Sequence, residues 1–463
     1  MRPCSIFFVA GLAACQSQTS LTVAAETQAS VEAHVPTVDN VILITVDTLR
    51  ADVLGTYGGR ARTPVIDELA ARGWTFDNCI SASMLTNPSH ASIMTSLYPR
   101  DHGVDDNESG IADGVRTLAT AMRRHGARTA AVIGFPHLNP EVSNLGQGFD
   151  RVVPATRDEL RADETSRRAL VELDRFDAGE KFFLWIHYVD PHAPYEPPDT
   201  HAPPHLEVAG KARPLSVALE AAPGFQRHNP WFKTAFRKYG TVEHMIERYV
   251  AEVEATDSGL RVLFDGMAKR GLMSKTAIVL TSDHGENLGE HNLYFHHGGL
   301  YRATVHVPLI VAVPGATALR VAGQVETVDI APTVLELVSA PRWEPMRGRS
   351  LVNVAYGRQP PRRFVFSEHM LSQQIAVRSL QGTMILHRKT TRQFPTYHFE
   401  AGRQEIYDSR NDPGETHELG DNNSLSTVLG AALQGYLEAG LKLSARSAVA
   451  QDRESLRALG YIE

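Results

Sequence analysis

The sequence is poor in cysteine, with 3 among its 463 residues. Cys4 and Cys15 fall at the start of the chain, and Cys79 stands alone in the remainder, so a disulfide framework within the mature chain is excluded. After the N-terminal segment no run approaches the ~18 uninterrupted apolar residues of a spanning helix, so we expect none. Internal repeats are absent. Blocks of Lys and Arg are absent too, and this second absence argues against a nucleic-acid-binding protein.

The sequence has enough apolar residues for a large core. It is 43% hydrophobic and 21% charged, with a net charge of −7. One core rarely exceeds ~250 to 300 residues, so this length predicts a large domain with a smaller one appended. The sequence has 20 histidines, and these would indicate a catalytic or metal-binding site if several of them lie close together in the fold.

The N-terminus is typical of an exported protein. The segment 1–14 has an apolar run, Ile6 to Leu12, that ends in Leu12-Ala13-Ala14-Cys15 and resembles the lipobox of bacterial lipoproteins. We therefore expect residues 1–15 to be a lipoprotein signal peptide with Cys15 lipidated, and residues 16–39 to be a flexible tether. The expected location is the bacterial cell envelope, facing the periplasm or exterior. The alternative is an ordinary signal peptide in which Cys15 is incidental.

Short runs rich in Val and Ile alternate with segments of helix length, which predicts an α/β fold with a mostly parallel sheet. The predicted buried strands are Val41 to Val46, Thr129 to Ile133, Phe182 to Ile186, Ala277 to Leu280 and Val307 to Val313. Helices are predicted after Thr63-Pro64 and over Ile246 to Arg270, and Pro191 to Pro230 is predicted to be a long surface insertion. Residues 40–345 form the predicted catalytic domain, and shorter β-like runs and a last helix, Leu425 to Leu443, predict a C-terminal α+β subdomain over 346–463.

Polar residues follow the predicted strands at their carboxyl ends. Asp47, the pair Asp283-His284, His187 with His192, and His137 each come after a different strand. In an open α/β sheet ligands bind at this edge, so these side chains are expected to converge. Two carboxylates and one imidazole suit a divalent cation, although a single aspartate at such a point is more often a helix cap.

A second segment, Thr86-Asn87-Pro88-Ser89-His90, predicts the start of a helix. Thr86 would then lie where helix N–H groups attract an anion, and its hydroxyl, activated by a metal ion, can act as a nucleophile. His90 lies one helical turn further along, on the same side. An N-cap role is the structural alternative for Thr86.

Taken together, these segments resemble the sulfatase branch of the alkaline phosphatase superfamily. The resemblance runs from Asn40 to Leu419 and is carried by NVILITVDTLRAD (40–52), TPVIDELAARGWTFDNC (63–79), LTNPSHASIMTSLYPRDHGV (85–104), HYVDPHAPYEPP (187–198), TSDHGENLGEH (281–291), HHGGLYRATVHVPLIV (296–311), VDIAPTVLEL (328–337) and EIYDSRNDPGETHEL (405–419). It implies an alkaline-phosphatase-like fold: a large mixed, mostly parallel sheet between helices, with a small C-terminal α+β subdomain.

The resemblance also implies roles for individual residues. The implied metal ligands are Asp47, Asp283 and His284, together with Thr86. The implied catalytic residues are Thr86, His90, His192 and His297, and the implied substrate-binding residues are His137 and Asn87.

The departures from the family pattern narrow the expected chemistry. Thr86 and His90 stand where Cys-x-Pro-x-Arg or Ser-x-Pro-x-Arg would hold Cys or Ser and Arg, which excludes formylglycine, and Phe135 and His297 replace two lysines. Asp47-Thr48 and Asp283-His284 carry fewer carboxylates than a calcium site of this family, which favours one Mn²⁺ or Zn²⁺ ion over Ca²⁺.

The expected function is metal-dependent hydrolysis of sulfate or phosphate and phosphonate esters, on a sulfated or phosphorylated small molecule or glycan. We expect contact with a membrane through the lipid anchor alone, and no nucleic-acid partner. The alternatives are an envelope transferase of phosphoryl-linked head groups and a catalytically inactive binding lipoprotein.

Overall fold

The computed structural model describes residues 36–156, 160–202, 212–221, 230–369, 373–394, 397–420, 423–440 and 446–447. The expected signal peptide, Cys15 and all of the tether up to residue 35 lie outside the described residues. Among the described helices, none combines the length and the apolar composition needed to cross a membrane.

An eight-stranded sheet forms the centre of the molecule, in the order β11-β2-β10-β7-β1-β6-β4-β5. All the predicted buried strands are present. β10 is antiparallel to both of its neighbours and the other pairs are parallel, so the sheet is mixed and mostly parallel as expected. The strands are β1 (Asn40–Val46), β2 (Trp74–Ile80), β4 (Arg128–Ile133), β5 (Arg151–Val153), β6 (Phe182–Tyr188), β7 (Thr276–Ser282), β10 (His306–Ala312) and β11 (Leu319–Glu326).

Both faces of this sheet are covered, which explains why its strands are apolar without alternation. In β1, Ile42 and Ile44 pack into the core on one face, whereas Val41 and Leu43 pack into the core on the other. Successive side chains of a strand point to opposite faces, so a strand buried on both sides must be apolar throughout.

Helices cover the two faces. They are α1 (Pro64–Ala70), α2 (Thr86–Thr95), α3 (Pro99–His102), α4 (Leu118–Arg124), α5 (Pro140–Ser143), α6 (Ala162–Leu173), α7 (Ser216–Ala221), α8 (Pro230–Tyr239), α9 (Val242–Lys269), α10 (Arg302–Val305), α11 (Ile330–Leu337) and α12 (Val352–Ala355). α1 begins at Pro64 as predicted, although Thr63 makes no side-chain capping bond. The predicted second helix is α9, which begins four residues earlier than expected and buries Met245, Tyr249 and Leu260.

A smaller antiparallel sheet follows, with the order β12-β13-β14-β17, and α13 (Ser424–Glu438) packs on it through Leu429, Leu433 and Tyr436. Its strands are β12 (Val365–His369), β13 (Gln374–Arg378), β14 (Thr383–His387) and β17 (Gln404–Tyr407). Two-stranded ribbons pair β8 (Asn287–Leu288) with β9 (Tyr294–His296), β15 (Thr391–Phe394) with β16 (Tyr397–Phe399), and β3 (Ser109–Gly110) with β18 (Arg446–Ser447). The predicted fold class, including its small C-terminal subdomain, is confirmed.

Candidate active site

The sheet places three polar strand ends side by side. β1 pairs in parallel with β6 on one side and β7 on the other, and Thr45 lies opposite both His187 and Thr281. The carboxyl ends of these strands therefore share one edge. Asp47 follows β1, and Asp283 and His284 follow β7, so residues more than 230 positions apart meet there, as the 3.3 Å hydrogen bond from Thr48 N–H to Asp283 Oδ1 shows.

Asp47, Asp283 and His284 form a cluster suited to one cation. Each offers a ligand atom, and these atoms all lie within 4.8 Å of one another. Nε2 of His284 is 3.7 Å from Asp47 Oδ1 and 3.5 Å from Asp283 Oδ2. All three side chains are fully buried. This is the donor set that the sequence predicts for a divalent metal.

The backbone after β7 determines how His284 is presented. Its Nδ1–H donates to the carbonyl of Gly285 at 2.9 Å, which leaves the lone pair of Nε2 directed at the two carboxylates. Gly285 allows this turn because a Cβ there would lie 2.1 Å from the carbonyl oxygen of Ala303. Steric exclusion of a side chain therefore explains why a glycine follows Asp283 and His284.

The electrostatics of the cluster fit a cation. Oδ2 of Asp283 is buried and accepts no hydrogen bond from the described residues, and its ion-pair partners are His90 and His284. Burial lowers the pKa of both imidazoles and raises the pKa of the Asp283 carboxyl. Neutral imidazoles cannot balance buried carboxylates, so a divalent cation is the group that this donor set accommodates.

Thr86 is the first residue of α2, and its side chain is 1% exposed. Its Oγ1 lies 3.4 Å from Nε2 of His284, the nitrogen that faces the carboxylates. Leu85, in extended conformation, is the N-cap residue, so Thr86 lies in the first turn of the helix and not at the capping position. The hydroxyl is thus held at the positive end of a ten-residue helix and beside the cation cluster.

A chain of hydrogen bonds below Thr86 fixes two histidine rings. Nδ1 of His90 must donate to the Thr86 carbonyl at 2.8 Å, so Nε2 of the neutral ring accepts from the Thr45 hydroxyl at 3.1 Å. Oγ1 of Thr45 then accepts from Trp185 Nε1–H at 3.0 Å and from His187 Nδ1–H at 3.1 Å. The Nε2 lone pair of His187 is left 3.5 Å from Oδ2 of Asp47. His90 thus contacts the backbone of Thr86 rather than its hydroxyl.

Three further histidines form a row of ring contacts that begins at His284. The ring of His297 is 4.4 Å from that of His284 and 5.8 Å from that of His192, and the ring of Phe135 contacts His192 in a tilted arrangement and His137 edge to face. Burial lowers the pKa of His137 and of His192 to about 3. The rings of His137 and His192 therefore offer neutral hydrogen-bonding nitrogens to an anion rather than permanent charge.

The N–H donors of Asn87 are engaged by a neighbouring loop. Its amide N–H₂ donates to the carbonyls of Asn107 and Ser109 at 3.2 and 3.1 Å. Its backbone N–H donates to Oδ1 of Asn107 at 3.0 Å. The donors of Asn87 thus hold the loop over α2, and a substrate-binding role stays a prediction.

Thr45, Trp185 and Glu286 were not predicted from the sequence as site residues, and His187 was expected at this edge of the sheet without an assigned role. Thr45 and Trp185 look like ordinary strand residues until the neighbours of β1 are known. Glu286 could have been found from its position two residues after His284. Two other histidines near the motifs have structural contacts: His102 bonds to Ser92 of α2, and the ring of His291 stacks 3.5 Å from that of Tyr301.

The chain is similar to known proteins over most of its length. A family model described as Sulfatase matches residues 39–340, which is more than half of the chain, and a model described as N-sulphoglucosamine sulphohydrolase, C-terminal, matches residues 289–439. A curated relative, the multifunctional alkaline phosphatase superfamily protein PehA of Trinickia caryophylli, is 26% identical over 400 residues, covering 68% of this chain and 76% of its own.

Two solved structures share the fold. A phosphonate monoester hydrolase of Agrobacterium radiobacter superposes with a TM-score of 0.66 at 20% identity, covering 86% of this chain and 95% of its own. A protein solved in complex with its substrate D-glucosamine-2-N,6-O-disulfate superposes with a TM-score of 0.70 at 20% identity, covering 88% and 97%.

Proposed function

Because the chain belongs to the sulfatase family, an ester hydrolase family of the alkaline phosphatase superfamily, we propose that it hydrolyses sulfate or phosphate and phosphonate esters with Thr86 as the nucleophile. The observation that carries this proposal is the position of Oγ1, 3.4 Å from Nε2 of His284 and at the N-terminus of α2. No conversion to formylglycine is needed, because a threonine already supplies the attacking oxygen.

The proposed reaction has two steps. Oγ1 of Thr86 gives up its proton to solvent and attacks phosphorus or sulfur, the bond to the leaving alcohol breaks, and a protonated histidine supplies a proton to the departing oxygen. Water then hydrolyses the Thr86 ester, which regenerates the hydroxyl and returns a proton to the histidine. Asp47, Asp283, His284 and Thr86 would hold the divalent ion. When bound, such an ion supplies positive charge that lowers the pKa of the hydroxyl and offsets charge on the ester oxygens.

The surrounding groups favour a substrate with a single negative charge. The carboxylates of Asp47 and Asp283 balance the charge of a divalent ion, and burial keeps His137 and His192 neutral. Sulfate esters, phosphonate monoesters and phosphodiesters carry one negative charge, whereas phosphate monoesters carry about two near neutral pH. A sulfated glycan or a phosphonate ester is therefore the substrate class that we propose.

The experiment is a panel of four 4-nitrophenyl esters, namely a sulfate, a phenylphosphonate, a phosphodiester and a phosphate monoester. Each ester is assayed with Mn²⁺, Zn²⁺ and Ca²⁺. We expect turnover with Mn²⁺ or Zn²⁺, its loss in Thr86→Ala, and partial retention in Thr86→Ser. Trapping a covalent ester on Thr86 by mass spectrometry would identify the nucleophile. Unchanged turnover in Thr86→Ala would reject the mechanism, and product analysis with an added alcohol acceptor separates hydrolysis from group transfer.

The envelope location is a proposal that rests on the lipobox-like segment ending at Cys15. Cys15→Ser is expected to move the protein from the membrane fraction to the soluble fraction without changing its specific activity. Equal membrane association of the wild-type protein and the variant would reject lipidation at this residue.

A further inference from the structure

A buried glutamate lies behind His297. Glu286 is 1% exposed, and its Oε2 accepts a hydrogen bond from the Tyr195 hydroxyl at 3.1 Å. Its other oxygen, Oε1, accepts no hydrogen bond from the described residues and is 3.8 Å from Nδ1 of His297. Nδ1 of His297 likewise has no hydrogen-bond partner among the described residues.

The two ends of the His297 ring face different surroundings. Nδ1 faces the buried carboxylate, whereas the ring itself lies against His284 and is 20% exposed at its side chain. A carboxylate that accepts Nδ1–H from an imidazole fixes both the orientation of the ring and the nitrogen that keeps the hydrogen. The distance of 3.8 Å leaves room for this bond to shorten when substrate binds, as is common for catalytic groups before a complex forms.

We propose that Glu286 is a positioning residue that orients His297 so that its Nε2 faces the leaving oxygen of the ester. This inference rests on the proposed function. As the bond between the leaving oxygen and phosphorus or sulfur breaks, that oxygen takes the proton from Nε2 of His297. Nδ1–H stays on the ring, directed at Oε1 of Glu286, so the proton that is transferred comes from the side facing the substrate.

The placement of Glu286 has a basis in the fold. Arg50 donates from Nη1 to the backbone carbonyl of Glu286 at 3.0 Å, and the same nitrogen is ion-paired with Glu290 at 2.7 Å. The Tyr195 hydroxyl holds Oε2 from the other side. Arg50 thus holds the backbone of Glu286 and Tyr195 holds one of its carboxylate oxygens, and neither residue belongs to the cation cluster. A residue that positions another side chain requires such support.

The test is a leaving-group series on esters of one acid, from 4-nitrophenol to phenol. A good leaving group departs without a proton, whereas phenol needs one, so Glu286→Gln should lower kcat for the phenyl ester by about 10² or more and change kcat for the 4-nitrophenyl ester little. KM should change little for either ester. Glu286→Asp, which keeps the charge, should restore part of the loss.

A double-mutant cycle separates positioning from a structural role. In a His297→Ala background, Glu286→Gln should cost almost nothing further, because the residue through which it acts is gone. Glu326 is the matched control, since it is also buried and bonded to a tyrosine hydroxyl, that of Tyr98. Glu326→Gln should leave the leaving-group dependence as in the wild-type protein.

The failures of the two proposals are distinguishable. Equal losses on both esters, or an undiminished effect of Glu286→Gln in the His297→Ala background, would overturn the role of Glu286 while leaving Thr86 as nucleophile. Absence of turnover by the metal-loaded wild-type protein on every ester would overturn both. Metal content and thermal unfolding of each variant, measured alongside, show whether the fold and the cation site are intact.

Discussion

Replacing Asp283 with asparagine should change the stability of the protein in opposite directions with and without metal. The amide oxygen of asparagine can still accept the hydrogen bonds that Oδ1 accepts from His284 N–H at 2.8 Å and Thr48 N–H at 3.3 Å. The substitution therefore removes a charge from the buried cluster with little change of shape. Without a cation this removes repulsion, and with a cation it removes a ligand.

The distances give the size of both effects. Ligand atoms of Asp47 and Asp283 lie within 4.8 Å of each other, and two unit charges at that separation repel by about 3.5 kcal/mol at an effective dielectric constant of 20. The metal-free variant should therefore gain up to about 3 kcal/mol in free energy of unfolding. A ligand at a hundred times its Kd stabilises the wild-type protein by about 2.7 kcal/mol, and the variant should lose most of this.

The assay is urea unfolding at pH 8 in EDTA and again with Mn²⁺ or Zn²⁺. Burial raises the pKa of the Asp283 carboxyl, so the metal-free wild-type protein loses stability as pH rises through that raised value and the advantage of the variant grows. Asp329→Asn is the control, because Asp329 is buried but ion-paired with Arg362 at 2.5 Å. The reasoning would be refuted if the Asp283→Asn protein were less stable than wild type both in EDTA and with added metal.

Four other outcomes are expected. Gly285→Ala should weaken metal binding by about tenfold or more, measured by titration calorimetry, because a Cβ there lies 2.1 Å from the Ala303 carbonyl and must displace His284; unchanged affinity would contradict this. Arg362→Met should cost about 3 to 5 kcal/mol in urea unfolding, since it leaves the buried carboxylates of Glu326 and Asp329 without their cation. Burial raises the pKa of Glu326 to about 7, so the free energy of unfolding should fall as pH rises from 4 to 7, and Glu326→Gln should flatten that profile. The Cys79 thiol, fully buried and with its pKa raised by burial, should react with a disulfide reagent only after unfolding.

The sequence was sufficient to predict the strands at the centre of the sheet. The runs from Val41 to Val46 and from Ala277 to Leu280 are apolar without alternation, and only burial on both faces explains that pattern. Strand order was not derivable from it, because nothing in the residues themselves states that β1 lies between β6 and β7. The convergence of Asp47 with Asp283 was predicted from the rule that the carboxyl ends of parallel strands lie at one edge of the sheet. The register of β1 with β7 then brings the two side chains close together.

The contacts around Thr86 were harder to anticipate. His90 was expected to share the side of Thr86, and it does, but both of its nitrogens are engaged by the Thr86 carbonyl and Thr45. This could not be predicted, because Thr45 belongs to a strand that only the tertiary structure brings under α2. For Glu286 the signal was present in its spacing from His284, but its burial beside Tyr195 depends on a loop about 90 residues away in sequence.

The position of β1 at the centre of the sheet also determines when in folding the active site can exist. Thr45 meets His187 across 142 positions of sequence, and Thr48 meets Asp283 across 235. Contacts between residues so far apart in sequence form late in folding, because the chain must close long loops first. Until β7 docks, one edge of β1 stays open to mispairing. A fragment that stops before Asp283 should therefore fail to retain a divalent ion, however much of the sheet it has assembled.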